Sequence, residues 1–217
     1  EVDNEILRKD SEIELEIPRK DGGSPPRIFP GYNVLFAGTM NEDESTQSLS
    51  DKVVDRANIL RFAAPHKIAS QTTQGAVLAP EALSYTRWKG WVRNVDHLGQ
   101  EVDRVEEQVK NLLDRMRGLH RPIGHRMGRA MLSYVANYPQ FGGTFDSRIP
   151  LADQVELRLL PKLRGVETDL VGNELEDLAE FVDTALNDSE LATAIKESIE
   201  FAREGSGQFV WRGVARQ

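Results

Sequence analysis

Polar side chains follow a short apolar run near the start of the sequence, and their types suit phosphate chemistry. Residues 34–37 are apolar and predict a buried strand. Gly38, Thr39 and Asn41 come directly after it, and polar groups there are costly to bury without partners. Ligands of open α/β sheets bind where strands end, so the Asn41 carboxamide could orient a phosphate or an attacking water. The alternative is a tight turn in which Asn41 bonds nearby backbone.

Two arginines also invite an explanation. Arg126 opens a predicted helix at residues 126–138, where the positive end of the helix dipole disfavours a cation. A nearby anion would account for it, and a solvated helix end is the alternative. Arg56 lies beside Asp55, and such neighbours usually form a surface ion pair that contributes little stability. The residues alone leave both alternatives open.

The elements that must position these side chains change character along the chain. Residues 1–65 predict short strands at 13–17, 27–29, 34–37 and 59–62 with a short helix near Val53. Residues 66–100 are irregular and are interpreted as a connector. Residues 101–217 have helical periodicity and a short terminal strand. The predicted fold class is therefore α+β and mainly α, with a small α/β part followed by a helical domain.

The helical part is divided by glycine, proline and Asn-Asp breaks. Asp188 or Ser189 is predicted to cap the last helix. The predicted helices cover residues 102–116, 126–138, 152–163, 175–186 and 189–204, and the terminal strand covers residues 208–212.

Composition narrows the classes of function. The 217 residues are 39% hydrophobic and contain no Cys, which excludes disulfides, thiol nucleophiles and thiolate zinc sites. No apolar run approaches the roughly 20 residues that cross a bilayer, so we expect a cytoplasmic protein without membrane contact. The net charge of -8 disfavours autonomous DNA binding. The four His residues lack metal-ligand spacing, so no metal site is predicted.

Two longer motifs carry a resemblance to a known family. Residues 38–45 read GTMNEDES and residues 49–58 read LSDKVVDRAN. Together they closely resemble the sensor 1 and arginine-finger region of AAA+ NTPases, above all the McrB-like restriction NTPases. The resemblance implies that Asn41 positions the hydrolytic water near the γ-phosphate and that Asp43 holds the acidic signature position. It implies that Arg56 is the finger that reaches the neighbouring subunit's nucleotide, with Arg61 as the alternative.

The resemblance continues more weakly into the helical part. Residues 121–130, RPIGHRMGRA, resemble a lid motif whose Arg contacts the γ-phosphate in cis, which implies that role for Arg126. Residues 159–165, LLPKLRG, are similar to a lid signature of the same family. There we expect Lys162 and Arg164 to serve structure more than chemistry.

The main phosphate-binding motifs are not in this sequence. It has no Gly-x-x-x-x-Gly-Lys-Ser/Thr loop and no apolar strand ending in Asp-Glu that holds magnesium. Both precede sensor 1 in the family, so we expect a C-terminal fragment that is inactive and free of cofactor alone. The intact protein would form a ring, use Mg²⁺ with GTP or ATP, and drive a nuclease partner on DNA. The rival hypothesis is a non-enzymatic helical interaction module.

Overall fold

The structure is a computed structural model, and it is mainly helical. It describes residues 11–17, 22–31, 34–41, 49–63, 82–139 and 145–215. In chain order its elements are β1 (Ile13–Glu14), β2 (Arg27–Ile28), α1 (Asp51–Val54), α2 (Tyr85–Trp91), a 3-10 helix (Val95–Glu101), α3 (Val102–Gly118), α4 (His125–Asn137), α5 (Arg148–Gln154), a π-helix (Val155–Leu159), a second 3-10 helix (Leu160–Leu163), β3 (Val166–Glu167), α6 (Thr168–Thr184), α7 (Ser189–Glu204) and β4 (Gln208–Phe209).

The chain divides into two compact units. Unit 1 contains Glu1–Gln47 and Glu81–Gly90, and unit 2 contains Ser48–Pro80 and Trp91–Gln217. The stretch that the sequence assigns to one α/β portion, residues 1–65, is thus shared between the two units. No helix in the described part of the chain combines the length and apolar character needed to cross a bilayer.

Unit 1 contains the predicted N-terminal hairpin. Strands β1 and β2 pair antiparallel, with Ile13 opposite Ile28. Arg27 Nη2 and Glu14 Oε2 form an ion pair at 3.1 Å. The structure therefore confirms the strands predicted at 13–17 and 27–29, although each is shorter than predicted.

Residues 34–41 of unit 1 do not form the predicted buried strand. The structure assigns no strand there, and the side chains of Leu35 and Phe36 are 74% and 83% exposed. A strand is defined by backbone pairing with a neighbour, and no described strand pairs with this segment. The prediction of a buried strand at 34–37 is wrong for this structure.

The buried apolar side chains of the described chain all lie in unit 2. Helices α6 and α7 pack against each other, and Leu175 and Ile195 are fully buried between these and neighbouring helices. Strands β3 and β4 pair antiparallel, with Val166 opposite Phe209. The structure confirms the helices predicted at 102–116, 126–138 and 189–204. It also confirms the predicted cap, because the Asp188 side chain accepts from Leu191 N at 2.9 Å.

Two predicted helices differ in detail from the structure. Helix α6 begins at Thr168 rather than at residue 175, with Val171 in a non-helical conformation near its start. The helix predicted at 152–163 changes from α to π to 3-10 geometry along its length. Pro161 lies in the last part, and proline has no N–H to donate to the carbonyl four residues earlier, which here belongs to Leu157.

Residues 49–63, which we call the arginine segment because they carry Arg56 and Arg61, pack against the helices of unit 2. Val54 is buried. Ile59 N donates to the Leu157 carbonyl at 2.9 Å, and this is the carbonyl to which Pro161 has no N–H to donate. The strand predicted at 59–62 is reduced to one parallel bridge between Phe62 and Val214. These contacts attach the segment to residues more than ninety positions later in the chain.

Gly213 allows the arginine segment to approach the C-terminal residues. Its φ is +87°, and an added Cβ would lie 2.5 Å from the Arg61 carbonyl oxygen. Gly207 also has positive φ, +74°, but its Cβ would meet nothing within 4 Å. These two glycines therefore separate the cost of backbone strain from the cost of lost space.

We expect Gly213→Ala to destabilise unit 2 more than Gly207→Ala. Left-handed strain costs roughly 1–2 kcal/mol for an alanine at either site, and only Gly213→Ala adds a backbone clash that must displace the arginine segment. Urea denaturation of both variants measures the difference. Equal midpoints for the two would show that the segment does not press against Gly213 in solution.

Candidate functional site

Arg56 lies in the turn that follows α1, and its side chain is exposed. Its backbone N–H donates to Val53 O at 3.0 Å, which continues the helical turn and fixes where the side chain leaves the backbone. Within the described part of the chain, the guanidinium has no hydrogen bond or ion pair. An arginine fork on an ordered turn is a suitable group for a planar phosphoryl or carboxylate ligand.

Asp55 does not pair with Arg56, which was the alternative suggested by the sequence. Its carboxylate forms an ion pair with Lys162, whose side chain is only 17% exposed. The adjacent acid is therefore already engaged by a cation from the second 3-10 helix, and Arg56 keeps its charge available to another partner.

Asn58 forms the second side-chain contact between the arginine segment and the helices. Its Oδ1 accepts from Arg158 Nε at 2.8 Å. Arg158 is half-buried, and burial lowers the pKa of its guanidinium from the usual arginine value. Arginine stays charged in proteins, so Arg158 contributes a second partly desolvated cation to this surface.

Three contacts therefore hold the backbone on both sides of Arg56. Lys162 binds Asp55, Arg158 binds Asn58, and the Leu157 carbonyl binds Ile59 N. We call this set of contacts the arginine clamp. It includes two cations, Arg158 and Lys162, beside the segment that carries the exposed Arg56, and these positive groups favour an anionic ligand in a chain whose net charge is -8.

Arg126 lies in the first turn of α4, after the N-cap residue Gly124, and its side chain is exposed. None of the described residues forms a hydrogen bond or ion pair with it. Arg121, just before this helix, donates to the carbonyls of Lys162 at 3.3 Å and Arg164 at 3.4 Å. The start of α4 is therefore attached to the same turn that supplies Lys162 to the arginine clamp.

The other predicted site residues are placed differently. Arg61 Nη1 donates to the Trp211 carbonyl at 2.5 Å, which ties its guanidinium to the C-terminal residues. Asn41 is exposed and belongs to unit 1, whereas Arg56, Arg61 and Arg126 belong to unit 2. Asp43 lies outside the described residues. Asp55, next to Arg56, and Arg121, five residues before Arg126, both contact Lys162.

Sequence reasoning missed the roles of Arg158, Lys162 and Asn58. Lys162 was expected to serve structure more than chemistry, and no site was assigned to Arg158 or Asn58. A signal was available, because Arg158 and Lys162 are four residues apart in one predicted helix and so share a face. Their partners could not be read from spacing, since Asp55 and Asn58 lie about a hundred residues earlier.

Residues 82–205 match the family model described as a domain of unknown function (DUF8727). The match spans more than half of the 217 residues. The chain belongs to this family. The matched region contains α3 to α7 and both cations of the arginine clamp, whereas Arg56 precedes it. No curated protein and no solved structure gives a match to the chain.

Proposed function

We propose that this chain is the C-terminal part of a McrB-like AAA+ nucleoside triphosphatase, in which the DUF8727 region forms the helical lid. One observation carries most of the proposal: Arg56 is presented on a turn that is held on both sides, with its neighbouring acid occupied by Lys162. A finger must be ordered, charged and free of competing partners within its own subunit. The residues around Arg56 meet these three requirements among the described contacts.

The proposed roles follow the chemistry of each side chain. Arg56 contacts the nucleotide of the neighbouring subunit, where its fork binds oxygens of the transferred phosphoryl group as charge spreads over them. Arg126 contacts the γ-phosphate of its own subunit. Asn41 orients the attacking water through its carboxamide, and Asp43 holds the acidic signature position. These groups bind, orient and neutralise, which is most of what phosphoryl transfer requires of a protein.

The residues named here suit a triphosphate more than a metal ion. Arg56 and Arg126 are cations, Asn41 is neutral and Asp43 is the one acid, so the set carries a net positive charge that complements phosphate oxygens. Magnesium, which neutralises charge on the phosphates when bound, is assigned in this proposal to an Asp-Glu strand expected upstream of Glu1. The nucleotide is GTP or ATP, the subunits form a ring, and a nuclease partner acts on DNA reached through the intact protein or that partner.

The sequence upstream of Glu1 and a nucleotide titration together test the proposal. We expect the gene to encode a phosphate loop followed by an Asp-Glu strand. We also expect the intact product to bind fluorescent GTP or ATP with magnesium dependence, whereas the present chain alone shows no tight binding. Without a phosphate loop most of the binding energy for the nucleotide is absent.

Two outcomes would contradict the proposal. The first is tight, magnesium-dependent nucleotide binding by the 217-residue chain alone, because that would require a phosphate site within it. The second is a gene with no phosphate loop upstream. That result would favour the rival hypothesis, a non-enzymatic interaction module, in which Asn41 and Arg56 have turn and surface roles.

A further inference from the structure

We propose that Lys162 and Arg158 are positioning residues for Arg56, so that the DUF8727 region holds the finger in its working place. This inference rests on the proposed function, because it assigns a role in turnover to residues that act through Arg56. It concerns the arginine clamp defined above, which is formed entirely within unit 2.

The spacing of the clamp contacts makes Arg56 their centre. Asp55 immediately precedes it and Asn58 follows two residues later, and these two side chains are held by different cations of the same helical run. Consecutive Cα atoms are about 3.8 Å apart, so the held residues flank Arg56 within a few ångströms on either side. With both flanks held, rotation of the turn is restricted and the Cα–Cβ bond of Arg56 is held in place, so the point from which its side chain extends is set.

The two partners of the Asp55–Lys162 ion pair differ in burial. The Lys162 side chain is 17% exposed and the Asp55 side chain is 53% exposed, so the ammonium is packed into the helical surface and the carboxylate lies at its edge. Arg121 donates to the Lys162 carbonyl at 3.3 Å and so holds the backbone of the same residue. Lys162 is therefore the better-packed anchor of this contact, and the arginine segment is attached to it through Asp55.

A purely stabilising role for the same contacts leads to a different expectation. If the clamp only adds stability, its loss lowers the unfolding midpoint and leaves kcat of the folded enzyme unchanged. If the clamp positions Arg56, its loss lowers kcat of the folded enzyme, because a displacement near 1 Å can cost about 100-fold in rate. KM for the nucleotide changes little in that case, since the proposed Arg56 contact stabilises the transition state more than the bound nucleotide.

Steady-state kinetics of the intact protein tests the inference. We expect Lys162→Met and Asp55→Asn each to lower kcat about 10- to 100-fold with KM within about twofold. Lys162→Arg, which keeps the charge, should retain most activity. The charge-reversed pair Asp55→Lys with Lys162→Asp should recover much of the kcat that each single reversal loses. Lys196→Met removes an exposed lysine on α7 and serves as the control for loss of one cation.

Hydrogen exchange of the Ile59 amide gives a second readout on the chain itself. This N–H bonds the Leu157 carbonyl, so we expect faster exchange in Lys162→Met and Asp55→Asn and no change in Lys196→Met. Asp55→Asn alters an exposed side chain and preserves its size, which keeps the test available if Lys162→Met folds poorly.

The outcomes separate this inference from the proposed function. Unchanged kcat in Asp55→Asn and Lys162→Met, with Arg56→Ala inactive, would overturn the positioning role and leave the finger in place. Full activity of Arg56→Ala would overturn the finger role proposed for Arg56, the part of the proposed function on which this inference rests, and would leave Arg61 as the alternative finger. A third outcome concerns the charge reversals. If Asp55→Lys and Lys162→Asp each lower kcat and the double variant does not recover it, Asp55 and Lys162 do not act as a pair. That result would also overturn the positioning role.

Discussion

Replacing Arg56 by alanine is expected to lower kcat of the proposed triphosphatase, assayed as the intact protein, by about 10³- to 10⁵-fold, the range over which arginine fingers act. Arg56 is exposed, and its adjacent acid is bound by Lys162, so the variant removes a charge with no described partner in its own subunit. The affinity for nucleotide should stay nearly unchanged, because the contact forms with the neighbour's transition state. Single-turnover hydrolysis and a binding titration, measured separately, check the two statements.

The matched control for Arg56→Ala is Lys52→Ala. Lys52 is an exposed cation in the same short helix, so its loss removes one positive charge from the arginine segment without touching the clamp. We expect its kcat within about twofold of the unaltered protein, since surface charges away from the site act weakly. If Lys52→Ala lowers kcat as much as Arg56→Ala does, the effect comes from the total positive charge of the arginine segment and not from one positioned guanidinium.

Mixing two inactive variants tests whether Arg56 acts across a subunit boundary. Asn41→Ala disables the water-positioning group of its own subunit, whereas Arg56→Ala disables a group that serves the neighbour. In a mixed ring, some interfaces pair an Arg56→Ala subunit, which has an intact Asn41, with an Asn41→Ala neighbour, which has an intact Arg56. We therefore expect mixing to restore part of the activity. If mixing restores nothing while each variant still assembles, Arg56 acts within its own subunit.

The helices of unit 2 could be predicted from the sequence because their signals are local. Apolar residues at helical spacing, the Asp188 cap and the glycine and proline breaks define α3, α4 and α7 to within a few residues. The start of α6 was harder, since Val171 departs from helical geometry and the N-cap residue Glu167 makes no side-chain cap hydrogen bond. The run at residues 34–37 is apolar enough for a strand, but composition cannot supply the partner that a ladder needs.

The candidate site was only partly visible in the sequence, for a physical reason. Arg56, Arg126 and Asn41 could be named because they lie in short motifs that resemble a known family. The arginine clamp joins Asp55 to Lys162 and Asn58 to Arg158. The members of each pair are about a hundred residues apart, so no local spacing pattern in the sequence predicts their contact. Pro161 is a partial exception. Because Pro161 has no N–H, the sequence predicts that the Leu157 carbonyl lacks its usual helical hydrogen bond. The sequence does not predict that Ile59 N would donate to that carbonyl.

The arginine clamp attaches the arginine segment to helices of the DUF8727 region. Arg158 and Lys162 lie within the matched residues, and Arg56 lies before them. A shift of the second 3-10 helix would therefore move Arg56 with it. Under the proposed function, the helical region would influence hydrolysis through this attachment to Arg56 as well as through the γ-phosphate contact assigned to Arg126.

Leu175→Ala is expected to destabilise unit 2 by about 2–5 kcal/mol, the largest effect on folding that we predict. Leu175 is fully buried on α6, where that helix meets the core, and the shorter side chain leaves a cavity that neighbouring helices fill only in part. Urea denaturation should show a lower midpoint with an unchanged slope, because the surface exposed on unfolding stays nearly the same.

Leu170→Ala is the matched control, since it makes the same substitution on the same helix. The Leu170 side chain is 72% exposed, so its truncation removes little buried surface and should change stability by no more than about 0.5 kcal/mol. Leu170 precedes the non-helical Val171 and Leu175 follows it, so the contrast between these two leucines tests which side chains of α6 are buried. Equal destabilisation, or a larger effect at Leu170, would mean that α6 packs against the core through side chains other than Leu175.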